Sequence, residues 1–83
     1  MKFEDLLINI LNKVDDNGFN KVIMINLDAT GAKLEDVKEA VQMAETVIAA
    51  ERKEYEIKAS LFHLTGCDYG IAFVDSGSVE LIA

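Results

Sequence analysis

The chain has little of what cross-links, coordinates metal or interrupts a fold: one cysteine, one histidine, no proline and no tryptophan in 83 residues. A single cysteine makes an intramolecular disulfide impossible and fits a reducing compartment. One cysteine with one histidine falls short of the clusters that zinc and iron–sulfur sites need. Bases are scarce as well, eight Lys and Arg against fifteen Asp and Glu, for a formal net charge of −7. That imbalance argues against direct binding to nucleic acid, whose phosphates demand Lys and Arg, and against anionic membrane surfaces. No stretch approaches the ~18–20 apolar residues of a membrane span. The start, MKFEDLLINIL, carries two acids where a signal peptide carries bases. Repeats, linkers and low-complexity tracts are also missing, so residues 1–83 read as one small cytoplasmic domain.

What the chain does have is apolar residues, 51% of the total, spread too evenly for a disordered segment. Phe3, Leu6, Leu7, Ile10, Leu11 and Val14 follow the spacing of one helix face, with Leu7, Ile10 and Leu11 expected in the core. Asp15-Asp16-Asn17-Gly18 ends that helix. Lys21–Leu27 is β-branched and apolar on nearly both faces, which predicts a strand in the sheet interior. Ala29–Ala32 reads as a loop.

A long helix is expected over Lys33–Glu54, with Leu34, Val37, Val41, Ala44, Ile48 and Tyr55 as its stripe. Glu35 and Asp36 in the first turn and Arg52 and Lys53 in the last agree with the helix dipole. Three alternating strands follow, at Glu56–Thr65, Tyr69–Val74 and Val79–Ala83, joined by short polar turns. The predicted fold is α+β, with element order α-β-α-β-β-β. A right-handed crossover and a terminal meander would build one four-stranded, mostly antiparallel sheet with both helices on one face.

Two helices cover one face of such a sheet and leave the other open. Yet Val22 and Met24 stand beside Ile23 and Ile25, Phe62 and Leu64 beside Leu61, and Ala72 and Val74 beside Ile71 and Phe73. A water-facing sheet surface is polar at alternate positions. The pattern predicts cover by a second copy or a different protein, unless the parity slips at a bulge or the first helix crosses to the other face.

The chemistry-bearing residues are few. His63, Cys67 and Asp68 could be read as metal ligands or as a Cys–His pair with an orienting acid. A tight turn offers no further ligand beyond Asp68 and no donor pair for an oxyanion, so a surface histidine and an incidental thiol are expected instead. Asp28-Ala29-Thr30-Gly31-Ala32-Lys33 joins a strand to a helix N-terminus, where phosphates bind in α/β folds. One glycine is too few for a phosphate loop, and Asp28, Glu35 and Asp36 would repel an anion. Gly31 is expected to make the turn and Thr30 to help cap the helix. The fifteen acids include no pair marked by an apolar pocket, and Asp15-Asp16-Asn17-Gly18 lacks the spaced ligands of a calcium loop.

No enzyme, cofactor or metal is therefore expected. The predicted function is a non-enzymatic acidic interaction module that occludes a partner surface. In one version it inhibits a basic nucleic-acid-binding protein, its carboxylates standing where phosphates would. The alternative is a self-associating structural or regulatory homodimer. The expected contact residues are Glu35, Glu39, Glu56, Phe62, Val74 and Glu80. No family motif covers more than a few residues. Small, acidic and without catalytic residues, the chain resembles the inhibitors that phages deploy against host defence or transcription proteins, which implies a host-cytoplasmic location. A long helix followed by three strands resembles dimeric scaffold modules of the roadblock type, although those carry a hairpin where this chain has one strand.

Overall fold

The first helix, α1 (Phe3–Asn17), buries Leu6, Ile10 and Val14, residues one turn apart on a single stripe. Phe3, Leu7 and Leu11 flank that stripe and are only partly covered, so of the three core positions expected here Ile10 alone is fully buried. Gly18 ends the helix at φ +80°, a backbone region that glycine enters freely, and its N–H donates to the Val14 carbonyl at 2.7 Å. These elements come from a computed structural model, which describes residues 2–75.

Strand β1 (Val22–Asn26) runs into a single helical turn, α2 (Leu27–Thr30), where the sequence predicts a loop. Asn26 makes the turn: its Oδ1 accepts from the Ala29 N–H at 2.8 Å, a side-chain cap. Gly31 closes it in the left-handed region, φ +67°, as expected. Thr30 does not cap the long helix. Its hydroxyl donates to the Asn26 carbonyl at 3.0 Å.

The long helix α3 (Leu34–Glu51) buries Val37, Ala40, Val41, Ala44 and Ile48. Its 18 residues are fewer than predicted, because it stops at Arg52. Arg52 therefore lies outside the last turn. Its guanidinium sits 5.3 Å from the centre of the Phe19 ring and 4.0 Å from Asp15, and Tyr55 meets the same ring edge-on. A contact between distant segments sets this end of the helix, and the dipole rule does not.

Strands β2 (Ile57–Thr65) and β3 (Asp68–Asp75) form a hairpin. The described sheet has three strands in the order β1-β3-β2, all pairings antiparallel. β1 and β2 are thus parallel to each other, joined by the α3 crossover and separated by β3. Of these three strands the central one is β3, and β1, expected in the sheet interior, pairs on one side only among the described residues. The meander is corrected. β3 pairs with β2 on one edge and β1 on the other, and Asn20 extends the β1 side by donating to the Phe73 carbonyl at 2.8 Å. The fourth strand expected at Val79–Ala83 lies outside the described residues.

One face of the sheet carries Ile23, Ile25, Ile57, Ile71 and Phe73, all at most 8% exposed, packed with the buried stripes of α1 and α3. Both long helices lie on this face, and the result is a small two-layer α+β domain. On the outer edge of β2, the Glu45 carboxylate from α3 accepts the Ala59 N–H at 2.6 Å, occupying a backbone donor that an edge strand would otherwise present.

Candidate interaction surface

Strand alternation sends the other set of residues to the opposite face, which no described helix covers. The register puts them in rows. Val22, Ala72 and Ser60 form one row; Met24, Gly70 and Phe62 form the next; Val74 pairs with Lys58 at one end, and Asn26 with Asp68 at the other. Val22 and Met24 are each 55% exposed, against 5% and 8% for their inward neighbours Ile23 and Ile25, and Phe62 on β2 is 37% exposed. Leu64, at 42%, lies in the register irregularity between His63 and Thr65. That irregularity sits at the strand end, so it does not explain the apolar outer rows, and α1 does not cross to cover them.

Gly70 gives the middle row its shape. A Cβ there would come within 2.5 Å of the Phe62 ring, so the glycine is what lets the ring lie flat over the central strand. The ends of the face are polar. Asn26 Nδ2 donates to Asp68 Oδ1 at 2.6 Å, tying β1 to β3 beside the hairpin turn. Asp68 is the one acid and Lys58 the one base on these outward rows, in a chain with fifteen acids. An apolar centre with polar ends is the anatomy of an interface.

The six expected contact residues do not form one site. Phe62 and Val74 share the outer face. Glu35 and Glu39 are exposed on α3, in the layer behind it, and Glu56 is exposed just before β2. Glu80 lies outside the described residues. A partner covering Phe62 therefore does not touch Glu35 or Glu39. The sequence reading omitted Val22, Met24 and Gly70 from the site. Their signal was the apolar double parity, but only the strand register shows that they share a face with Phe62.

His63 and Cys67 each engage a neighbour close by. His63 Nε2 donates to the Gly66 carbonyl at 2.9 Å, and its ring packs against Tyr69. The Cys67 thiol faces Asp28, whose carboxylate accepts its hydrogen bond and, with its charge, pushes the thiol pKa above the ordinary value. A thiol held protonated is a poor nucleophile and a poor ligand. Asp28→Asn is expected to lower that pKa and speed alkylation of Cys67 by iodoacetamide at pH 8; an unchanged rate would show that Asp28 does not govern it. Among the described residues no three of His, Cys, Asp and Glu converge to hold a metal, and no helix is long and apolar enough to cross a membrane. A cleft of about 300 Å³ between α1 and α3 is lined by Leu11, Val14, Phe19 and Ile48 and flanked by the Asp15–Arg52 pair. The chain matches no protein-family model, no curated protein and no solved structure.

Proposed function

We propose that this domain is a non-enzymatic protein-interaction module that grips its partner with the outer face of the sheet. The observation that supports it is the open apolar surface of Val22, Met24 and Phe62, with Val74 at its end, on a sheet whose other face holds the hydrophobic core. Contiguous exposed apolar surface of this kind marks interaction sites on small proteins. The acids play a different part. Carried on the helix layer away from the grip, Glu35 and Glu39 act through the long-range field and favour encounter with basic partners. The inhibitor of a basic nucleic-acid-binding protein is the version of this reading in which that field selects the partner.

The two parts separate kinetically. Met24→Lys is expected to speed dissociation from a captured partner, with at least ~30-fold loss of affinity if Met24 is a central contact, at any salt concentration. Glu35→Lys with Glu39→Lys should slow association at low salt only, the effect fading near 0.5 M where screening reaches within ~4–5 Å. The test is to use the parent and both variants as matched baits, then measure kinetics across a salt series. Identical retention by all three baits would sink the reading. If only the helix variant loses binding, the grip lies on the acidic layer instead.

A further inference from the structure

Resting on that reading of the outer face but not on a basic partner, we infer that its occupant is a second copy of this chain, packed face to face about a two-fold axis perpendicular to the strands. For this pairing Glu35→Lys with Glu39→Lys speeds association rather than slowing it. The inference comes from how the polar groups are placed on the face. Lys58 stands at the Val74 end and Asp68 at the hairpin-turn end, with Val22, Met24, Ala72 and Phe62 between them. A two-fold axis lying in the interface and crossing the strands exchanges the two ends. Lys58 of each copy then stands beside Asp68 of the other, and Met24 of each lies over the Val22 row of the other. A two-fold axis along the strands would instead set Asp68 against Asp68, like charge against like. The face is self-complementary in one orientation, which is the requirement of an isologous dimer.

Charge elsewhere points the same way. Two chains of net charge −7 repel each other, and the helix layer carries Glu35, Asp36, Glu39 and Glu45. The outer rows carry one acid and one base, so they are where two copies can meet with least repulsion. At ordinary strand spacing and rise the face measures roughly 14 Å by 26 Å, and two sheets pack about 10 Å apart. Two such faces bury roughly 700 Å², below the range of stable specific interfaces and in that of transient ones, so the dimer is weak and depends on concentration. Both acidic helix layers then face outward.

The methionine methyls provide the test. Met24 lies on the outer face, whereas Met43, 46% exposed on α3, lies outside it and serves as the control. The full chain, labelled at the methionine methyls, is studied by sedimentation and by NMR relaxation from a neutral gadolinium chelate, over about 1 μM to 1 mM to span a weak interface. The expected result is a monomer–dimer equilibrium in which Met24 becomes shielded as the dimer forms while Met43 stays accessible. Met24→Lys should raise the dissociation constant at least ~10-fold. Lys58→Glu should weaken the dimer more than Lys38→Glu, a control that changes net charge equally but lies on α3. A dimer with Met24 accessible, or equal effects of the two lysine variants, would overturn the inference. So would a monomer with Met24 accessible, but that outcome leaves the face open and the interaction reading standing. A monomer with Met24 shielded would mean that the chain covers its own face, and both would fall.

Discussion

Phe73→Ala is expected to be the most damaging single substitution in the domain, costing about 3–5 kcal/mol. A domain of this size has only about 4–12 kcal/mol of stability in all, so the variant should lose roughly a quarter of it or more. Phe73 is 1% exposed, on the central strand, opposite Ala59 on β2. The small neighbour leaves room for the ring, and α1 and α3 close over the same core. Removing the ring opens a space bounded by the sheet and both long helices, which cannot collapse to fill it. Val74→Ala, one residue along on the outer face, removes two methyl groups from a partly exposed position and should cost far less. Urea unfolding followed by far-ultraviolet circular dichroism measures both. Equal midpoints for the two variants would mean that the faces of β3 are assigned in reverse.

The helices were legible because their periodicity is local. Leu6, Ile10 and Val14 on α1, and Val37, Val41, Ala44 and Ile48 on α3, read as stripes with no knowledge of what they pack against. The end of α3 was not legible. Arg52 fits a last-turn charge in sequence, but its place is set by Phe19 and Asp15, more than thirty residues away. Strand alternation was legible too, and gave the inward set Ile57, Ala59 and Leu61 correctly. Strand order was not. Two apolar faces on β1 suggested burial on both sides, whereas Val22 and Met24 are exposed and the central one of the three described strands is β3. The outward residues of β3 include Gly70 and Ala72, too small to announce a central strand. Of the candidate site, Phe62 and Val74 could be read from parity. That Glu35 and Glu39 lie in the other layer could not, because charge on a helix face does not reveal which side of a sheet the helix covers.

Leu6→Ala should cost about 2–5 kcal/mol, and Leu11→Ala distinctly less, although sequence periodicity treats the two as members of one apolar face. The difference lies in what surrounds each side chain. Leu6 is 1% exposed inside the shared core, so its removal leaves a sealed void as well as the lost transfer energy. Leu11 is partly covered and lines the cleft between α1 and α3. Truncating a cleft wall widens a space already open to water, so the cavity contribution largely disappears and the transfer contribution alone remains. With a urea dependence of about 1 kcal/mol per molar for a small domain, Leu6→Ala should lower the unfolding midpoint by roughly 2 M or more. The Leu11→Ala midpoint should fall between that and the parent's. If Leu11→Ala proves the more damaging, α1 is rotated about its axis relative to the arrangement described, and Leu7 and Leu11 rather than Leu6 and Val14 face the sheet.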